Sequence, residues 1–243
     1  MEKLISDLRN IIKESNNIVF FGGAGVSTES NIPDFRSEKG LYNAVSEYGY
    51  SPEEMLSRTF FRNHTEIFYK YYKENMLYLD AKPNKAHFAL AKLEHEGKLK
   101  TIITQNIDGL HQLAGSKNVI ELHGSVHRNY CTGCKRFYDA DFIKLSKGIP
   151  RCECKETVKP DVVLYEESLN YADIEKAINY IERAEVLIVG GTSLAVYPAA
   201  SFINYFRGDK LILINKSATP YDSKAALVIN HPIGEVLERA CLK

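Results

Sequence analysis

Cys131-x-x-Cys134 is followed, after seventeen residues, by Cys152-x-Cys154. Four thiolates at such spacing can close a tetrahedral zinc site. An all-cysteine set leaves no open coordination position, so one zinc ion held there is structural. The second pair is one residue shorter than the usual C-x-x-C and asks for a tighter turn. A small nucleic-acid-binding zinc ribbon is the competing reading. Lys135, Arg136 and Arg151 are mixed with Asp139, Asp141 and Glu153, so no basic stripe forms. The fifth cysteine, Cys241, stands alone near the end.

A second constellation is Gly22-Gly23-Ala24-Gly25-Val26-Ser27-Thr28. Small residues after an apolar run let main chain approach a pyrophosphate, and a following helix offers N–H groups to it. An ordinary strand-to-helix turn has the same composition. The spacing departs from the dehydrogenase pattern G-x-G-x-x-G, since position 28 is Thr, and no acidic residue closes a second strand about 20 residues on. Hydride-transfer chemistry is therefore disfavoured. Ile32-Pro33-Asp34-Phe35-Arg36 comes next. Pro33 stiffens the chain, Arg36 can fork onto a phosphate and Phe35 can cover a flat ring. Singly these are a core residue and a surface charge; together they resemble a lid over a nucleotide.

Two further groups follow apolar runs. Gln105-Asn106-Ile107-Asp108 offers donors and acceptors for ribose hydroxyls and an amide. Helix capping by Asn106 or Asp108 explains one of these polar residues but not all three. Glu121-Leu122-His123-Gly124 places a histidine at a strand's carboxyl end, where it can act as a general base near neutral pH. A lone histidine is more often structural, and the other histidines lack such neighbours.

The elements that must position these groups are short apolar runs: 17–21, 100–104, 119–122, 186–189, 211–214 and 227–229. Runs apolar almost throughout suit strands buried on both faces of a parallel sheet. Helical periodicity lies between them, over roughly 3–14, 84–97, 172–184 and 198–206. In the second, Ala86, Leu90, Ala91 and Leu93 face one way and Lys92, Glu94 and Glu96 the other. The alternation predicts an α/β, doubly wound, Rossmann-like parallel sheet. Carboxyl ends of strands in such sheets carry the ligand site, which is where all the polar groups above fall. Two stretches break the rhythm. Residues 37–80, rich in tyrosine and phenylalanine, read as a helical insertion; 127–160 read as a zinc-binding insertion. Together they are expected to form a small domain beside a main domain of 1–36, 81–126 and 161–243.

The 243 residues suit one large domain, and 31 basic against 31 acidic residues leave no net charge. Neutrality gives no electrostatic ground for nucleic acid or an anionic membrane as partner. No apolar leader follows Met1, and the most apolar stretch, Val186–Ile203, is broken by glycines and Pro198. A cytoplasmic protein is expected. No apolar stripe stands out, which favours a monomer.

Taken in order, these motifs resemble those of the sirtuins. Gly191-Thr192-Ser193-Leu194 followed by Val196 and Pro198, Lys159-Pro160-Asp161-Val162-Val163, Asn215 and Thr219-Pro220 extend the resemblance over nearly the whole chain. It implies an NAD-dependent protein lysine deacetylase with acetylated-lysine proteins or peptides as partners. NAD, as co-substrate, would lie with its pyrophosphate on the Ala24–Thr28 turn and Arg36. Ile107 and Asp108 would hold the nicotinamide amide, with Phe35 over the site. Asn106 and Gln105 would position the ribose and a water, and His123 would take a proton from a ribose hydroxyl. Thr192, Ser193, Asn215 and Ile233 would meet the adenosine half. The peptide would lie as an added strand between Val162–Glu167, with Val163, Tyr165 and Glu166, and Leu194–Val196. Products would be free lysine, nicotinamide and acyl-ADP-ribose. ADP-ribosyl transfer, or deacylation of longer acyl groups, is the alternative. Three positions depart from the family pattern: Asn31 for Gly, the C-x-C pair, and Tyr165-Glu166-Glu167 for Phe-Gly-Glu.

Overall fold

The computed structural model describes residues 1–34, 45–194 and 197–242. All six apolar runs are strands of one sheet: β1 (Ile18–Gly22), β2 (Leu99–Thr104), β3 (Val119–Glu121), and, after three strands of a second sheet, β7 (Val186–Gly190), β8 (Lys210–Ile214) and β9 (Leu227–Ile229). The second sheet holds β4 (Gly124–Cys131), β5 (Phe137–Tyr138) and β6 (Val158–Val162). The large sheet has the order β3-β2-β1-β7-β8-β9, with every pairing parallel.

Continuous apolar strands follow from burial on both faces. In β1, Ile18 and Phe20 join one core while Val19 and Phe21 join the other; Val186 and Ile188 alternate with Leu187 and Val189 in the same way. The first face is covered by α1 (Glu2–Glu14), by the helix Lys85–His95 and by residues 233–241. The opposite face is covered by the helix Tyr171–Arg183 and by Ala200, Phe202 and Ile203. In Lys85–His95 the buried side is Ala86, Ala89, Leu90 and Leu93, with Ala91 half-buried. The last expected helix is instead a 3-10 helix, Ala199–Tyr205, whose tighter three-residue turn the apolar periodicity does not separate from an α-helix.

The smaller sheet, β5-β4-β6, is antiparallel. Its strands are not apolar runs, and β6 contains Pro160. With the helices Pro52–Met55, Arg58–Asn63 and Thr65–Asn75 it encloses a third core that includes Phe68, Tyr69, Tyr72, Val126, Val158 and Val162. Edge-to-face and stacked rings fill this core, as Phe61 on Phe68 and Phe68 on Tyr72 illustrate. Arg128 links the two sheets, bonding Glu121 at 2.6 Å and Asp161 at 2.8 Å.

Candidate active site

Strand register brings the chemistry-bearing residues to one edge. Gly22 is level with Thr104 and Gly190, Thr104 with Glu121, and Gly190 with Ile214. The next residues of these strands are Gly23, Gln105, Leu122-His123, Gly191 and Asn215. The strand order reverses between β1 and β7, which is the crevice where doubly wound sheets take ligands.

The glycine turn is built differently from the expected strand-to-helix turn. Two 3-10 turns, Ala24–Val26 and Thr28–Ser30, stand where an α-helix start was expected, and the second ends on Asn31 at φ 61°. Asparagine is tolerated in this left-handed region, so the turn survives without glycine. The need for Gly25 also comes from inside the protein. A Cβ there would lie 2.7 Å from Gly191 Cα, and one on Gly191 would lie 2.3 Å from the Val26 nitrogen. The Gly25 N–H donates to the Gly191 carbonyl at 2.8 Å.

Two cavities, each about 240 Å³, open on either side of this turn. The first lies between the large and small sheets. Ala24, Ser27, Gln105, Asn106, Ile107, Asp108 and His123 line it on one side, and Val162, Val163, Tyr165 and Glu166 on the other. The second is lined by Gly25, Thr28, Thr192, Ser193, Asn215, Lys216, His231 and Ile233. Phe35, Arg36 and Val196 lie outside the described residues, as does Tyr42 of the helical insertion. Leu194 is among the expected residues but not among those lining either cavity. It sits at φ 56° with its side chain in the large sheet's core.

Within the first cavity a hydrogen-bond chain fixes the polar groups. Asn106 Nδ2 donates to Ser27 Oγ at 3.0 Å, and Ser27 Oγ donates to Asp108 Oδ2 at 2.6 Å. Asp108 Oδ1 accepts from the Leu110 N–H at 2.9 Å. A carboxylate has about four lone-pair sites, so Asp108 retains capacity for an amide donor. Ser27 joins these groups, and sequence reasoning missed that role: a serine inside a glycine turn carries no signal that its hydroxyl will reach a residue 81 positions away. Asn75, Met76 and Tyr78, at and just beyond the end of the helix Thr65–Asn75, also line the cavity without a sequence signal.

His123 Nδ1 lies 2.9 Å from the Gln105 carbonyl. A carbonyl only accepts, so the neutral ring carries its proton on Nδ1 and its basic lone pair on Nε2. The Val163 N–H donates to the His123 carbonyl at 3.0 Å, tying the histidine to the wall opposite. Gln105 spans toward the second cavity, its Nε2 donating to Thr192 Oγ1 at 3.2 Å. Asn215 Oδ1 accepts from the Thr192 N–H at 2.8 Å, while its buried Nδ2 has no acceptor among the described residues. Such an orphaned donor in a cavity fits a ligand rich in oxygen acceptors.

Glu166 holds φ 72°, so the chain keeps at this position the left-handed backbone that glycine favours. Its carboxylate faces the small domain, accepting from Thr59 N at 2.9 Å and Thr59 Oγ1 at 2.6 Å. Those bonds hold its carboxyl below the usual range. The cysteine sulfurs of Cys131, Cys134, Cys152 and Cys154 all lie within 4.8 Å of one another. A tetrahedron at a Zn–S distance of about 2.3 Å places them about 3.8 Å apart, so the set fits one zinc. The C-x-C pair closes as the turn of a hairpin bridged at Arg151 and Thr157, with Lys155 at φ 72°.

Fold and site together define a Rossmann-like α/β protein whose cleft is walled by a small sheet bearing a four-cysteine cluster. The chain belongs to the Sir2 family, whose model matches residues 23–198. It is 65% identical to an NAD-dependent protein deacetylase of Clostridium tetani (strain Massachusetts / E88), over 95% of this chain and 94% of that protein. A solved structure of Sir2 with a p53 peptide and NAD+ superposes with a TM-score of 0.86 at 41% identity, covering 97% of this chain and 96% of the other. Sir2 bound to an acetylated peptide gives 0.85 at 39% identity, with the same coverage of both chains. Among the described residues no helix is long and apolar enough to cross a membrane.

Proposed function

We propose that this protein is an NAD-dependent deacetylase of protein lysine side chains. The observation that carries the proposal is the anchoring of His123 through Nδ1 on the Gln105 carbonyl, which assigns the basic lone pair to Nε2, in the cavity that the Asn106–Ser27–Asp108 chain also lines. When bound, NAD supplies an electrophilic ribose carbon that accepts the acetyl oxygen as nicotinamide leaves. Asp108, with lone pairs to spare, and the Ile107 main chain hold the departing amide. Asn106, oriented by Ser27, positions the ribose. His123 Nε2 takes a proton from a ribose hydroxyl. Ala24, Thr28 and Arg36 would hold the pyrophosphate, with Phe35 over the site, and Thr192, Ser193, Asn215 and Ile233 would hold the adenosine half. Cys131, Cys134, Cys152 and Cys154 hold one zinc that stabilises the small sheet and takes no part in the reaction.

An extended acetylated peptide would lie as an added strand between Val162–Glu167, which lines the first cavity at Val162, Val163, Tyr165 and Glu166, and Leu194–Val196, of which Val196 lies outside the described residues. The acyl group enters a pocket walled by Ile32, Ile107 and Val126, where no described lining residue is Lys or Arg. Tyr72 stands where a carboxyl-binding sirtuin resembles this one but carries Arg, and here it is buried in the small-domain core beside Tyr69. A succinyl carboxylate would lack its bidentate partner. Acetyl-lysine is expected to turn over faster than succinyl-lysine in a competition assay read by mass spectrometry; the reverse order would overturn the neutral-acyl assignment.

The working unit is a cytoplasmic monomer, with domain boundaries at 1–36, 81–126 and 161–243 against 37–80 and 127–160. ADP-ribosyl transfer is the second reading of the same cavity. The test is an acetyl-lysine peptide incubated with and without NAD, alongside His123→Ala. Loss of a general base lowers turnover by about 10²–10⁴-fold. Deacetylation that needs NAD, releases nicotinamide and collapses in the variant is expected. Nicotinamide release without deacetylation would favour ADP-ribosyl transfer.

A further inference from the structure

Lys159 lies in β6, opposite Tyr130 of β4. Its side chain is one-quarter exposed, and its ammonium donates to three acceptors: the Val162 carbonyl at 3.1 Å, Glu167 Oε2 at 3.0 Å and the Pro160 carbonyl at 3.3 Å. The same Glu167 oxygen accepts from the Leu164 N–H at 3.0 Å, and the Glu167 N–H donates to the Leu164 carbonyl at 3.0 Å. One ion pair thus ties the strand end at Val162 to the turn that closes at Glu167. Between them the chain is bonded on both flanks. Val163 N–H reaches the His123 carbonyl, while Tyr165 exchanges main-chain bonds with Leu56 and Arg58. These residues, with Glu167, are the outer wall of the first cavity, and Lys159 is not among its lining residues.

We infer that Lys159 and Glu167 are positioning residues, a brace that shapes the 162–167 wall to receive an extended acylated peptide. The inference rests on the deacetylase reading of the cavity. Three donor bonds converge on one ammonium because two main-chain carbonyls and a half-buried carboxylate need a partner when the chain turns this sharply. Without it, Val162 and Glu167 seek water and the wall loosens. The peptide then binds a population of walls of which only a fraction is competent, so its apparent affinity falls by that fraction. The cosubstrate side of the cavity, held by Ser27, Asp108 and Gln105, keeps its geometry.

The experiment is steady-state kinetics of the full chain with an acetyl-lysine peptide, varying peptide and NAD separately. Lys159→Met is expected to raise the KM for peptide roughly ten-fold, the equivalent of one lost charged hydrogen bond. The KM for NAD and kcat stay near the parent values. Lys159→Arg restores most of the loss, and Lys159→Gln, which keeps a donor for the Val162 carbonyl, falls between. Should Lys159→Met fail to fold, the Gln and Arg variants carry the test. An unchanged peptide KM, or a parallel rise in both KM values, would overturn the brace. Anisotropy of a fluorescent acetyl-lysine peptide, recorded for parent and variants, separates the two claims. A parent that binds peptide but does not deacetylate it refutes the deacetylase reading, while weaker binding by the variants still upholds the brace.

Discussion

At the scale of single residues, the protein keeps several imidazoles for different ends. His123 is anchored through Nδ1 on the Gln105 carbonyl and lines the first cavity. His87 and His111 are almost fully buried, their ring centroids 4.8 Å apart. His87 Nδ1 accepts from the Asn84 N–H at 3.2 Å, closing a capping box at the start of Lys85–His95. Its proton therefore sits on Nε2, and a second proton has to displace the cap. Burial, partly opposed by the charge of Asp108, pushes the His87 pKa down to about 4. Burial, and then the nearby His87, hold His111 well below the ordinary range. The unfolded chain takes up these protons from about pH 6.5 downward, while the native state does not until much lower. Stability is therefore fully present above pH 6.5 and falls as pH drops from there toward 4. Melting temperature is expected to decline across that window, and to decline less in His87→Gln, where the amide keeps the cap and removes the titration. Equal slopes in the two proteins would refute the assignment.

At the scale of elements, legibility followed hydrophobic pattern. β1 and β7 are apolar throughout, and β2 and β8 are apolar apart from Lys100, Thr101, Thr104 and Lys210, because side chains on both faces enter cores; all four were readable within a residue or two. The strands β4 and β6 were not: Gly-Ser-Val-His-Arg-Asn-Tyr-Cys has mixed polarity, and Pro160 breaks the pattern of the other. Their pairing is set by the register of Gly124 with Val162 and Cys131 with Val158, which no local signal encodes. The polar residues of the cavity were legible one by one, but Ser27 as their junction was not, since that depends on how two strand ends meet. The cysteine spacing did announce a metal site, and the hairpin around Cys152 and Cys154 explains how the shorter pair closes. About one zinc per chain is expected by elemental analysis. Cys152→Ser, or a strong chelator, is expected to remove it and to abolish the cooperative melting of the small sheet. Retention of both metal-free fold and parent stability would show the cluster to be dispensable.

At the scale of the whole molecule, the chain passes between the two sheets beside the cleft, and one passage is Leu122-His123-Gly124. Gly124 has φ 75°, and a Cβ there would stand 1.9 Å from the Asp161 carbonyl oxygen. The Cβ position is fixed by the backbone and its neighbour is a main-chain oxygen, so no rotamer relieves the contact. Gly124→Ala is expected to destabilise the protein by about 1–3 kcal/mol, read as a lower melting temperature, and to lower activity by displacing His123. An Ala variant with parent stability and parent turnover would show that the junction yields. Arg128, which bonds both Glu121 and Asp161, keeps the sheets from separating at this passage.

The contact between Gly25 and Gly191 carries a consequence for how such a protein changes over generations. The partition between its two cavities is a meeting of main chains, so drift among side chains leaves its contour untouched. Most point substitutions nearby alter the rims and spare the floor. Adaptation toward a different cosubstrate is thereby channelled to rim positions such as Asn215, Lys216 and His231, which line only the second cavity. The partition itself is altered only by replacing one of the two glycines, where a Cβ would meet main chain, or by inserting or deleting a residue.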